Sequence, residues 1–448
     1  MDIAAGIGPR NPYWIAALAI LCVVLGVAAG VSPKVALELT FGLVFAVAVL
    51  GNLTLGVMLF TVLSFLEVVN SGGAALSFMK VAGLILFVSW FASTSIRADG
   101  ESRSLVARQP GLTVAIVALI SWSLISVVWA ESHGAAFTAT ERYLLNILLL
   151  PIVFGAIRHR AQFLWVAGAF VLGADVSAVY GFLASGGGRL SGGLGDPNEL
   201  AAVLVAALML SVPLIAASER GSGRRFWALT GSVVAFVGIL YTDSRGGLIA
   251  LGAVLLAALF VGGRWRFRAA LLLVVGAASV GLYFSVIAPL AARQHLSSSN
   301  STGRTDLWRV GLRMFKANPV TGVGSGNFPT AAIHYVQQAG PLTRADLIVA
   351  VPHVTHNMYL DVADELGVPG MLALLAIAGG SMAAALRAAK RYERAGDVQF
   401  ELMSRALVLA ILGMLVADVF LSGQYSKQLW LLLALPLPLL ALAPKSRE

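Results

Sequence analysis

Residues 196–217 read DPNELAAVLVAALMLSVPLIAA. Asp196 can cap a helix, Pro197 suits the first helical position, and Glu199 stands three residues on, where it can reach back to the cap. From Leu200 to Ala217 no residue is charged. At ~1.5 Å per residue, a capped helix of this length crosses the roughly 30 Å hydrocarbon layer of a bilayer.

The same pattern recurs along the chain. Apolar windows lie near 13–30, 35–50, 52–68, 75–95, 112–130, 140–157, 163–184, 197–217, 226–242, 246–262, 269–289, 367–387, 402–421 and 428–443. With 58% hydrophobic and 12% charged residues and a mean hydropathy of +0.85, a soluble fold would have to hide more apolar surface than a core can hold. The expectation is an all-α, polytopic membrane bundle of roughly twelve to fourteen helices. Only Gly51-Asn52 separates the second window from the third. Cys22, the single cysteine, lies in the first window, so no intrachain disulfide or thiolate metal cage can form.

Positive charge orients the bundle. Arg97, Arg103, Arg108, Arg158, Arg160, the run from Arg220 to Arg225, the run from Arg264 to Arg268 and the run from Arg387 to Arg394 fall in alternate loops, whereas the opposite short loops hold only Lys34, Arg142, Arg189, Arg245 and Lys427. Lys and Arg concentrate on the cytoplasmic side, so the basic loops and both termini are expected there. Three regions follow: a transmembrane bundle over 1–290 with about eleven spans, a loop or lid over 291–366, and a bundle over 367–448 with about three spans. The outer loop, from Ala291 to Thr355, contains the helical pattern GRTDLWRVGLRMF and the turn GVGSGNF. Its cations, Arg293, Arg304, Arg309, Arg313, Lys316 and Arg344, exceed Asp306 and Asp346 and suit an anionic partner, although a solvated surface would also carry such charge.

Arg189 follows a glycine run before Asp196, and Arg245 sits in the turn of YTDSRGGLIAL. Both are expected outside, at the membrane boundary, where an ionisable group is costly and usually functional. A guanidinium fork matches phosphate oxygens; the competing reading is that each arginine snorkels to lipid headgroups.

The stretch VPHVTHNMYLDVADELGVPG, residues 351–370, carries two of the six histidines. A helix starting near Thr355 would leave His353 outside and put His356 in the first turn, where the helix dipole favours neutral imidazole, the form a general base needs. A local surface role for His356 stays open. Zinc would need a further ligand, and His334 and Asp346 stand at no metal spacing. Gly367, Pro369 and Gly370 predict a break that lays HNMYLDVADEL along the membrane interface. GVGSGNF lacks the lysine of a phosphate-binding loop, so its glycines are read as turns. A transporter using Lys80, Asp175 and Asp418 is the alternative from another class.

Taken in order, RLSGGLGDPNELA, DSRGGLIAL, GRTDLWRVGLRMFKANPVTGVGSGNF and THNMYLDVADELGVPG resemble the O-antigen ligase and polymerase superfamily, which includes protein O-oligosaccharyltransferases; the resemblance covers about Arg189 to Gly370. It implies an inner-membrane enzyme of lipopolysaccharide or polysaccharide biosynthesis with a periplasmic active site. Such an enzyme moves a glycan from an undecaprenyl diphosphate carrier to an acceptor hydroxyl, on lipid A-core for a ligase or on a carrier-linked glycan for a polymerase, with no nucleic acid involved. By resemblance, Arg189 and Arg245 hold the diphosphate and His356 activates the acceptor. Arg304, Asp306 and Trp308 match the loop motif, and Asn357 joins them as a substrate-binding residue. Neither a metal nor a cofactor is implied, and direct displacement would invert the anomeric carbon. The basic outer loop favours a ligase over a polymerase.

Overall fold

The computed structural model describes residues 22, 23, 26, 27, 29–67, 78–96, 105–184, 186, 188–297, 303–337, 342, 346–349 and 353–444. The first expected span, 13–30, and Arg344 lie largely or wholly outside them, as do Arg97 and Arg103. Every regular element among the described residues is helical. Among the described residues, seven helices are long and apolar enough to cross a membrane, and five shorter apolar helices accompany them.

The helices used below are α1 (Pro33–Gly51), α2 (Leu53–Leu63), α3 (Phe78–Ile96), α4 (Pro110–Ile125), α5 (His133–Ile147), α6 (Leu149–Ala156), α7 (Arg160–Ala184), α8 (Pro197–Ala217), α9 (Gly223–Tyr241), α10 (Arg245–Val261), α11 (Arg266–Leu282), α12 (Arg304–Ala317), α13 (Met358–Arg394), α14 (Val398–Ala417), α15 (Lys427–Ala434) and α16 (Pro436–Leu442). Asn52 caps α2 through Leu55 N–H, which explains how one residue suffices between α1 and α2. The last window is one helical stretch, Lys427–Leu442: α15 continues into α16 through Leu435, which keeps right-handed helical φ and ψ ahead of Pro436.

Burial ranks the helices. In α8 67% of the apolar window is buried and in α14 72%, against 6% for residues 263–287, so α8 and α14 form the centre and α11 lies at the periphery. Lipid is as apolar as leucine, so close packing must hold such a centre together. Small residues permit it: a Cβ on Gly247 would come 2.5 Å from that of Ala201, and one on Gly413 would meet Val205 at 2.9 Å and Val254 at 3.1 Å.

Antiparallel succession gives the bundle two unlike ends. At one end, Arg264 pairs with Glu401, Arg405 bonds Glu401 at 3.1 Å and Glu393 at 2.9 Å, and Arg160 bonds Asp397 at 2.6 Å. At the other end, α12 lies over the first turns of α13. Its buried side, Asp306, Leu307, Val310, Gly311 and Met314, recurs at helical spacing. Leu307, Val310 and Met314 join Phe328, Ala331, Ala332 and Ile348 in a small apolar cluster separate from the main core.

α13 bends where the sequence predicts. Gly367 has φ 64° and ψ −166° inside it, a conformation open to glycine and costly for other residues. Val368 N–H reaches Pro319 O at 2.9 Å across the bend. The segment HNMYLDVADEL is packed within the protein: Asp361, Val362, Asp364, Glu365 and Leu366 are buried. They are enclosed by α12 and by the glycine turn, whose N–H groups bind α13: Gly326 and Phe328 donate to Glu365 carboxylate oxygens at 2.7 and 3.3 Å. A resident carboxylate thus occupies the donors that a nucleotide phosphate would need. Ser325 N–H to Ser126 Oγ at 3.0 Å and Ser132 N–H to Asn327 Oδ1 at 2.7 Å fasten the same turn to the α4–α5 corner.

Candidate functional site

Two neighbouring turns hold the first arginine. Asp196 caps α8 as its sequence requires, accepting from Asn198 N–H at 2.6 Å and Glu199 N–H at 3.1 Å. Leu190 N–H bonds Tyr241 O at 3.0 Å, which brings the glycine-rich connection beside the end of α9. Arg189 then donates from Nε to Thr242 O at 3.0 Å, with longer bonds to Asn198 Oδ1 at 3.4 Å and Asp243 O at 3.5 Å. Asn198 also accepts from Ser244 Oγ at 2.9 Å, so the starts of α8 and α10 are cross-linked around this guanidinium.

Arg245 is the first residue of α10 and exposed. Ser244 caps that helix through Gly247 N–H, and the preceding Asp243 has φ 47°, one of two non-glycine residues in the left-handed region among those described. Arg304 opens α12 after Gly303, itself left-handed at φ 76°. The fields at Arg304 identify its neighbours. Burial is the main force pulling its guanidinium below the usual range, Asp196 opposes this, and Arg189 and Arg245 both add to it. Burial likewise pulls down Arg189, against Asp196 and Asp243.

The other left-handed non-glycine residue is His356, at φ 53°. Asn357, with its side-chain oxygen accepting from Leu360 N–H at 3.1 Å, is the cap of α13. That corrects the expected start at Thr355: His356 precedes the cap and is not in the first helical turn. Holding a non-glycine residue left-handed costs about 1–2 kcal/mol, and such strain gathers at functional sites. The imidazole is nevertheless held below its ordinary value. Burial contributes most and Arg304 second, against upward pulls from Asp196 and Asp361, with His353 lowering it further. The helix dipole expected from sequence is replaced by desolvation and a neighbouring cation.

Four of the predicted residues, Arg189, Arg245, Arg304 and His356, therefore share one electrostatic neighbourhood, and Asp196 is a carboxylate common to the fields of Arg189, Arg304 and His356. Sequence reasoning placed Asp196 as a cap but not in the site; no spacing rule links it to residues more than a hundred positions away. The other predicted contacts have local structural partners. Asp306 is buried and bonds Arg309 at 2.9 Å, Trp308 Nε1 donates to Thr355 O at 3.0 Å, and Asn357 is the cap. Arg313 donates to Tyr335 O and Val336 O, and Arg293 to Ala288 O, so several cations of the connection are engaged locally.

The groups considered for transport do not gather. Lys80 pairs with Glu141 at 3.1 Å in a half-exposed bridge, Asp175 is buried within α7, and Asp418 is buried at the end of α14. His334 bonds Glu131 at 3.1 Å. Among the described residues no three His, Cys, Asp or Glu side chains come together in a way that could hold a metal ion.

Chemically, the fields of Arg189 and Arg245 act against the charge of Arg304. A multiply charged anion relieves that repulsion. A neutral imidazole beside it can accept a proton. Residues 230–375 match the family described as O-Antigen ligase, part of the superfamily that the motifs resemble. The matched stretch includes Arg245, Arg304 and His356, and Arg189 precedes it. No curated protein matches the chain. The family match supports a membrane glycosyltransferase of the O-antigen ligase and polymerase type.

Proposed function

On the premise of that family match, we propose that the protein transfers a glycan from an undecaprenyl diphosphate carrier to an acceptor hydroxyl at the α12 end of the bundle, the periplasmic face of the inner membrane. The observation that carries this reading is the shared neighbourhood of Arg189, Arg245, Arg304 and His356. The arginines bind the donor diphosphate, and they stabilise it most as the sugar–phosphate bond breaks and charge grows on the leaving oxygen. His356 takes the acceptor's hydroxyl proton while that oxygen bonds to the anomeric carbon. The electron pair of the broken C–O bond leaves with undecaprenyl diphosphate. A single in-line displacement inverts the anomeric centre. These steps assign no role to a metal.

The acceptor we favour is lipid A-core, which makes the protein an O-antigen ligase. A phosphorylated acceptor suits the basic outer connection, where Lys316 is exposed at the end of α12. Deletion of the gene followed by lipopolysaccharide profiling tests this. A ligase leaves long chains on the carrier and none on lipid A; accumulation of single repeat units would instead indicate a polymerase.

A further inference from the structure

Every polar group of Thr355 is engaged. This residue is fully buried. Its N–H donates to Asp361 Oδ1 at 3.0 Å, its carbonyl accepts from Trp308 Nε1 at 3.0 Å, and its hydroxyl lies 3.1 Å from Asn357 N–H and 2.9 Å from Asn357 O. These anchors come from different parts of the fold. Asp361 belongs to the first turns of α13 and is buried; its Oδ2 accepts from Gln424 Nε2 at 3.4 Å, and Gln424 O accepts from Trp430 Nε1 at 2.9 Å on α15. Trp308 belongs to α12, and its ring lies 6.3 Å from that of Phe420, just beyond α14. His356 is the next residue along the chain and has the left-handed backbone.

We propose that Asp361 and Trp308 are positioning residues for His356, gripping the Thr355 backbone from the bundle and from α12; the assignment rests on the reading of His356 as the general base. The direction of the imidazole depends on φ and ψ at 355 and 356, since no helix encloses it. With both flanking polar groups of Thr355 tied down, His356 stays in a conformation that it would otherwise leave for negative φ. Releasing either tie lets the ring swing from the acceptor hydroxyl. Displacements near 1 Å at a reacting group cost about 100-fold in rate. Because Trp308 stands on α12, the base is aligned only while α12 is docked. The indole N–H, which the motif alone would give to substrate, is spent on this tie.

The test is lipid-linked glycan transfer by the full-length protein in proteoliposomes, reading kcat and donor KM separately. Asp361→Ala should lower kcat about 100-fold while donor KM stays within about twofold, because the arginine cluster is untouched. Asp361→Asn keeps an acceptor oxygen for Thr355 N–H and should restore at least about tenfold of that loss. Trp308→Phe, which keeps the ring and deletes the donor, should lower kcat in the same way. The double variant should lose less than the product of the two, since both act on one turn. Wild-type kcat in Asp361→Ala or Trp308→Phe, an Asn variant no better than Ala, or a loss confined to KM would each overturn the proposal. If the Ala variant does not fold, Asn and Phe decide it by the same readings. Full turnover in His356→Ala would instead remove the base itself, which separates that failure from this one.

Discussion

At the residue scale, His356 balances two opposing fields. Burial and Arg304 favour the neutral ring, whereas Asp196 and Asp361 favour the charged one. The balance falls below the ordinary value of 6.5, so a base that works when neutral should keep working in mildly acidic medium. The acid limb of kcat is therefore expected below that value. Arg304→Gln removes a repelling charge, raises the histidine and should move the limb to higher pH; no movement, or movement to lower pH, would contradict the assigned field. For the arginines, charge without the fork is the informative change. Arg189→Lys loses the Nε bond to Thr242 O, and Arg245→Lys loses planar donors at the mouth of α10. Each should reduce transfer by about tenfold or more, a loss of roughly 1.4 kcal/mol, at unchanged expression in membranes.

At the scale of elements, the connection between α11 and α13 has its own small apolar cluster, and its glycine turn is tied to α13 by backbone donors. Glu365→Ala would leave Gly326 and Phe328 N–H unpaired, at about 1–3 kcal/mol each, and limited proteolysis should then cut within 318–330 faster than in the wild type. Gly367→Ala is expected to be worse. Its Cβ would fall 2.2 Å from Val320 O, and its φ and ψ lie in a region essentially reserved for glycine, which adds about 1–3 kcal/mol, so the thermal midpoint should drop clearly. This element also shows where sequence reading stops. The break at GVPG and the helix in GRTDLWRVGLRMF were legible because glycine, proline and apolar spacing act locally. The cap at Asn357 in place of Thr355 was not, since both residues can cap. Thr355 spends its hydroxyl on Asn357 N–H and O, while tertiary bonds to Asp361 and Trp308 hold its backbone. Nor could periodicity reveal that Glu365 would fill the glycine turn, a pairing made between segments by folding.

At the scale of the whole molecule, alternation of strongly and sparsely basic short loops separated the two ends of the bundle, and the structure puts the arginine–histidine neighbourhood and the ion-pair network at opposite ends. With Cys22 replaced by Ser, a cysteine at exposed Thr305 should react with an impermeant maleimide in intact cells with a permeabilised outer membrane, and one at Arg224 only after lysis; the reverse pattern would invert the proposed orientation. The arginines were legible individually, because charge at a membrane boundary is costly. Their meeting with His356 was implied only by the family resemblance and not by spacing, as it depends on how α8, α10, α12 and α13 close on one another. This meeting point is the proposed seat of glycosyl transfer. Purified protein in proteoliposomes, given an undecaprenyl diphosphate-linked glycan and lipid A-core, should yield glycosylated acceptor with equimolar release of undecaprenyl diphosphate, and His356→Ala should yield neither while still binding the donor. Transfer by His356→Ala at the wild-type rate would contradict the account.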